Sequence, residues 1–296
     1  MTTASTDEEL RPPRSTGLRR VSAFLHRHNG IRVTGLVAAP MLWLGLIYLV
    51  ALLALFITAF WTVDFGGNVT RDWTLDNFKK LFEVDVYRTV VVRTILVAVS
   101  VTVIDAVLAL PIAFYMAKIA RPSVAKLLVV ALLMPLWASY LVKAFAWRTM
   151  ITPGGVMDSA IGWTPGFGIN AVIITLSYLW LPFMVLPIYA GFLKLPDSLL
   201  EASSDLGAKP GRTLRSVAFP MIIPSLAAGS IFTFSLSLGD YIAVSYVGGK
   251  TQLLGNLVFA RQTTDVPFAA ALATVSVVIM IVYLALIRRT GALENV

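Results

Sequence analysis

Six long apolar stretches alternate with short polar segments along this chain, and each is near the roughly 20 residues that a helix needs to cross a bilayer. They run from about Thr34 to Trp61, Val90 to Ala117, Leu127 to Ala146, Asn170 to Leu193, Ser216 to Gly239 and Val266 to Ile287. The pattern predicts an all-α membrane protein with six transmembrane helices. The first stretch is too long for the apolar region of a signal peptide, about 7–15 residues, and reads as an uncleaved span. This divides the chain into a basic tail (1–33), a six-helix body (34–290) carrying a polar loop at 196–220, and a short C-terminal tail (291–296). Pro111, Pro135, Pro182, Pro187, Pro224 and Gly229 interrupt the spans. Broken helices survive in lipid where neighbours or a cavity satisfy the freed backbone groups, which fits a pathway, although ordinary bundles also kink at proline.

Composition agrees with a polytopic membrane protein, with 57% apolar residues among 296 and a mean hydropathy of +0.80. The absence of cysteine excludes disulfides and Cys-ligated metals. The only histidines, His26 and His28, lie in the basic tail, away from any constellation that would hold a metal or form a triad. A net charge of +8 would suggest nucleic acid in a soluble protein. Here the placement of the charges speaks to topology. Fifteen Lys and Arg lie in the tail, in the loops after spans two and four and after span six, against seven in the alternate loops. The positive-inside rule puts both termini and the 196–220 loop in the cytoplasm. The tail arginines then read as a topogenic, lipid-facing feature rather than a nucleic-acid site, and Met1–Arg14, polar with Pro12-Pro13, is expected to be disordered.

Two glycine motifs fail on inspection. Gly248-Gly249-Lys250-Thr251 resembles the end of a phosphate-binding loop, but Val244 stands where a further glycine is needed, and the segment follows an apolar span instead of a strand. Gly166-Phe167-Gly168-Ile169-Asn170-Ala171 superficially fits a dinucleotide turn, yet no strand precedes it and it opens a membrane helix. No nucleophile–base pair can be assembled, so no enzyme activity and no bound cofactor are expected of this chain. Asn68-Val69-Thr70 matches a glycosylation sequon, which is irrelevant if the host is a bacterium.

The polar loop carries the chemistry of contact. Pro196-Asp197-Ser198-Leu199-Leu200-Glu201 reads as a helix start, with Asp197 or Ser198 accepting from first-turn amides and Ser198-x-x-Glu201 fitting a capping box. The short helix has an apolar edge at Leu199, Leu200, Ala202 and Leu206, and Gly207 permits a left-handed stop. Pro210 fits the first turn of a second helix through Arg212, Leu214 and Arg215. This helix–turn–helix is too short to bury its own apolar edge and needs a partner. The segment Glu201-Ala202-Ser203-Ser204-Asp205-Leu206-Gly207, followed after nine residues by Val217-Ala218-Phe219-Pro220, resembles the "EAA" loop of permease subunits of binding-protein-dependent ABC importers. Glu201, Ala202, Gly207 and Pro220 match the family pattern, while Ser203, Val217 and Phe219 replace alanine, isoleucine and leucine. The resemblance covers spans two to six, leaving the tail aside. It implies the type I importer permease fold and a coupling loop (Glu201, Ala202, Ser203, Asp205, Leu206, Gly207, Pro220) that sits in a groove of a cytoplasmic ATPase. It also implies ATP and Mg on that ATPase, a second and related permease subunit, an extracytoplasmic binding protein, and a multi-pass location in a bacterial inner membrane.

A finer resemblance, to spermidine/putrescine permeases, rests on Gly239-Asp240-Tyr241, Val247-Gly248-Gly249-Lys250, Leu253-Leu254-Gly255-Asn256, Asp265-Val266-Pro267-Phe268-Ala269-Ala270-Ala271 and the Pro135–Trp147 segment. Iron, thiamine and phosphonate permeases share parts of it. An acid at a bilayer centre costs about 2.5–3.5 kcal/mol on insertion scales, so Asp105 either hydrogen-bonds to nearby Ser and Thr or lines a wet path for cations. Asp240, beside Tyr241, either meets a polyammonium ion by charge and cation–π contact or is a polar residue at a helix end. Trp137, Tyr140, Phe145, Trp147, Trp163 and Trp180 read as interface belt or core, and Phe232, Phe234 and Tyr241 as candidates for a hydrophobic gate. The reading of another class is an ion-coupled secondary transporter with Asp105 as its coupling acid. That class favours inverted repeats, and none is evident in the chain.

Overall fold

The computed structural model describes residues 29–64 and 66–289. The expectations for the tail before Asn29 and for 291–296 lie outside the described residues. The chain divides into two units, residues 1–54 and 55–296. The described part of the first is helix α1, Asn29–Thr58, whose last turn falls in the second unit.

The second unit begins with a two-strand ladder, β1 (Thr62–Val63) and β2 (Val69–Thr70). Its turn is held by Asp64 Oδ1, which accepts from the amides of Gly66 and Asn68 at 2.8 and 2.9 Å. The apolar pattern does not predict this ladder, because two residues per strand leave no periodicity to read. Helix α2 (Asp76–Glu83) leads into α3 (Asp85–Phe114), which continues through a π-helical turn at Tyr115–Ile119. Then come α4 (Pro122–Trp137), α5 (Tyr140–Ile151), α6 (Val156–Ile161) and α7 (Ile169–Lys194). The polar loop forms α8 (Asp197–Asp205) and α9 (Pro210–Thr213), and a second π-helical turn, Leu214–Ala218, feeds α10 (Phe219–Leu238). Helices α11 (Ile242–Val247), α12 (Leu254–Arg261) and α13 (Val266–Arg289) follow.

Among the described residues, five helices are long and apolar enough to span a bilayer, and six spans result if α4 and α5 count as one. The third predicted span, Leu127–Ala146, is therefore not a continuous helix: α4 and α5 meet at 94°. Pro135 withdraws an N–H from the helical ladder and crowds the preceding turn. Ala138 and Ser139 then take extended backbone, with ψ of 142° and 134°. The helices continue unbroken through Pro111, Pro182, Pro187 and Pro224.

Helices α3, α7 and α10 pack against one another as the centre of this unit. One core layer joins Ala109 and Ala113 of α3 and Met116 of the π-helical turn after it to Met184, Ile188 and Phe192 of α7 and to Ile222 of α10. The α7–α10 approach depends on small residues, which let helix backbones close in a membrane. A Cβ at Gly229 would lie 2.8 Å from Met184 Sδ and 3.2 Å from Met184 Cα, and one at Gly191 would lie 2.7 Å from Ser225 Cβ. The two failed nucleotide motifs meet as structure. The Gly168 amide donates to Val247 O at 3.0 Å, and a Cβ on Gly249 would lie 3.1 Å from Phe167 Cβ. Thr94, buried in α3, donates to Val90 O and accepts the Leu254 amide at 2.9 Å, which seats the start of α12.

Candidate functional site

Helix α8 lies at the end of the α3–α7–α10 core. No residue within it is buried. Leu200 packs onto the core cluster, whereas Leu199 is 41% and Leu206 is 88% exposed. Glu201, Ala202 and Asp205 are also exposed. The helix ends as its sequence predicts. Gly207 sits at φ +78°, its amide donates to Ser204 O, and the Ala208 amide donates to Ser203 O at 3.1 Å. These contacts satisfy carbonyls that a helix C-terminus otherwise leaves free. Pro210 stands at the first position of α9, also as predicted. Pro220 occupies the first turn of α10, close in sequence to the second π-helical turn.

The start of α8 departs from expectation. Pro196 is the capping residue, and no side chain caps the helix, so the Ser198–Glu201 capping box does not form. Asp197 Oδ1 instead accepts from Lys118 Nζ at 2.6 Å, because the end of α3 brings an ammonium within reach. Ser203 and Thr213 share a hydrogen bond of 2.9 Å that ties α8 to α9. A small residue at position 203, where the family pattern has alanine, here gains a polar tether.

The predicted pathway residues fall into two groups. Phe232 is 52% exposed and Tyr241 is 36% exposed, the latter stacked on Phe259 at 4.7 Å. Phe234 is buried and stacked on Tyr283 of α13 at 3.9 Å, so it does not face an opening within this subunit. Asp240 is buried as well. Its Oδ1 accepts the amides of Ala243 and Val244 at 3.0 and 3.4 Å, and its Oδ2 accepts the Tyr140 hydroxyl. This geometry sets Asp240 at a helix end, buried within this subunit. Asp105 is fully buried in α3 beside Ser177 of α7, and neither side chain closes a hydrogen bond.

The sequence did not bring together a row of rings running from the Asp240 carboxylate. Tyr140 stacks on Trp180 at 5.6 Å, Trp180 meets Phe183 at 5.9 Å, and Phe183 meets Phe232 at 6.4 Å. Three of these come from α7 and α10 at a helical spacing that also suits plain core, so only the bend before Tyr140 reveals the row. Among the described residues no group of three or more His, Cys, Asp or Glu could hold a metal ion.

An α3–α7–α10 core, a bent third span and an outlying helix with a glycine stop form one arrangement. Residues 89–291 match the model of the binding-protein-dependent transport system inner membrane components. The chain belongs to that family. The permease is 38% identical over 307 aligned positions to the inner membrane ABC transporter permease protein YdcU of Escherichia coli K12, covering 96% of this chain and 98% of the relative. It is 31% identical over 264 positions to the spermidine/putrescine transport system permease protein PotB of the same organism, covering 86% and 95%. Its fold is that of a chain in the crystal structure of a bacterial ABC transporter involved in import of the acidic polysaccharide alginate. That match has a TM-score of 0.65, 16% identity and coverage of 91% and 99%. The chain is thus a multi-pass permease subunit of an ABC importer in the inner membrane and is itself non-catalytic.

Proposed function

We propose that this permease forms one half of the pore of an importer for small polyammonium solutes of the putrescine and spermidine class, driven through α8 by a cytoplasmic ATPase. The observation that carries the coupling role is the state of α8: braced on the bundle from one side, with Leu199 and Leu206 exposed on a loop that ends at a left-handed glycine. An exposed apolar edge rimmed by Glu201 and Asp205 is the surface a partner groove would cover. Ala202 and Ser203 let that partner approach closely, and Pro220 starts the span that would receive the movement. The charge distribution supports a cytoplasmic α8 and cytoplasmic termini. ATP and Mg belong to the ATPase dimer, a second and distinct permease subunit completes the pore, and an extracytoplasmic binding protein delivers the solute. The loop contributes by being held differently in the two states of the ATPase.

The polyamine class is supported by the PotB relatives and by the ring row. A polycation at the exposed Phe232 would meet an aromatic face that continues through Phe183 and Trp180 to Tyr140, whose hydroxyl is already committed to Asp240. In this reading Phe232 and Tyr241 touch the solute, whereas Asp240, Phe234 and Asp105 shape the wall behind them. The test is uptake of labelled putrescine and spermidine by a strain lacking other polyamine uptake, with and without this gene and with ATP depletion. Loss of ATP-dependent uptake on deletion is expected. Unchanged uptake would move the substrate to another small solute and leave the family assignment in place.

A further inference from the structure

We propose that Lys118 is a positioning residue that joins the end of α3 to the coupling helix α8, so that the two move as one body. The inference rests on the reading of α8 as the ATPase-docking helix. Lys118 belongs to the π-helical turn that closes α3. Its side chain is only 10% exposed, and its Nζ makes two contacts of 2.6 Å, one to the main-chain oxygen of Leu195 and one to Asp197 Oδ1. Leu195 follows the last residue of α7, and Pro196 has no N–H to offer a neighbouring carbonyl. A lysine at a helix C-terminus satisfies such a carbonyl and sits well in the helix dipole. One ammonium therefore ties together α3, α7 and α8.

The weight does not rest on the ion pair alone. Asp197 is 75% exposed, and an exposed pair contributes little. What matters is that a nearly buried lysine stem reaches out of α3 to the first turn of α8. The far end of α8 is held separately, by Ser203 to the buried Thr213. Lys118 lies within the π-helical turn Tyr115–Ile119, and Thr213 directly precedes the one at Leu214–Ala218. Such turns carry an extra residue in the helical ladder and recur at functional sites. A push on α8 thus reaches α3 through Lys118 and α10 through Thr213, the two helices that pack on α7 in the core.

The chain contains no cysteine, so a pair of introduced cysteines labels two chosen points in it. Val107→Cys on α3 and Ser198→Cys on α8, both at exposed positions, carry spin labels in the assembled transporter in lipid nanodiscs. Their separation is measured without nucleotide and with ATP and vanadate. With Lys118 in place the separation stays the same in both states. With Lys118→Met, which keeps the apolar stem, it shifts or broadens by several ångström on trapping, while the ATPase subunit still co-purifies. Lys118→Arg restores the fixed separation. Asp197→Ala, at an exposed position, gives a smaller change and serves if Lys118→Met does not assemble. An unchanged separation in Lys118→Met, or a changing one in the parent, overturns the proposal. Leu206→Glu and Gly207→Val test the underlying reading separately. If those variants retain the ATPase subunit, α8 is not the docking helix. If they lose it while Lys118→Met behaves as the parent, only the role of Lys118 falls.

Discussion

Substitution at Gly207 offers a test in which geometry fixes the order of effects before any assay is run. The residue sits at φ +78° and closes α8 through the turn that presents Leu206. Apart from its two chain neighbours, no residue has an atom within 4 Å of a Cβ built there, so a side chain meets no clash with the rest of this subunit. The cost of replacement is then backbone strain alone. An L-residue in the left-handed region costs about 1–2 kcal/mol, and Asn and Asp visit that region more readily because their short polar side chains bond locally. β-Branched residues are the worst suited to it. One to two kcal/mol is a factor of about 5–30 in a two-state population. Gly207→Ala should thus lower the share of correctly turned loops by that factor. Gly207→Asn should lose less and Gly207→Val more, with equal amounts of subunit in the membrane. Retention of the ATPase subunit on purification and the rate of ATP-driven uptake should fall together in the order Gly, Asn, Ala, Val. Gly207→Asp differs from Gly207→Asn by one charge, so any excess loss in Asp measures repulsion or desolvation against the docked partner. If Ala matches Gly, the turn is not left-handed in the working transporter. If Asn is as damaging as Val, contact with the partner sets the limit and the strain argument is wrong.

Two further predictions concern the bundle. Gly229→Val should destabilise the subunit by about 1–3 kcal/mol, the usual cost of overpacking, because its Cβ meets Met184 at 2.8 Å. The midpoint of thermal unfolding in detergent should drop by a few degrees, whereas Gly239→Ala, with its nearest neighbour at 3.8 Å, should scarcely move it; equal shifts would refute the close approach. Tyr140→Phe and Asp240→Ala should each cost about 1–3 kcal/mol through lost buried hydrogen bonds. Because they share one contact, the double variant should lose clearly less than the sum, and strict additivity would show that the Tyr140–Asp240 bond does not form.

Much of this molecule was legible in its sequence, for reasons tied to scale. Long apolar runs mark membrane spans because lipid leaves a backbone no alternative to bonding within its own helix. The spans at 90–117, 170–193 and 266–287 are therefore found nearly where they were read. Gly207 and Pro210 could be placed because their roles depend on their own φ angles and not on distant neighbours. What distant neighbours decide was not legible. A capping box was expected at Ser198–Glu201, yet Asp197 turned to Lys118, seventy-nine residues away in sequence. Proline alone did not distinguish the 94° bend after Pro135 from the unbroken helices through Pro111, Pro182, Pro187 and Pro224. Whether the freed backbone groups find partners in the ladder depends on surrounding helices. Asp105, Phe234 and Asp240 carry chemistry that suits a pathway, but exposure is a property of packing, and packing turned all three inward. The sequence by itself determined where the long apolar helices lie, which loop is polar and where that loop stops. Only the tertiary structure decided which charge braces it and which rings face outward, because both depend on contacts between residues far apart along the chain.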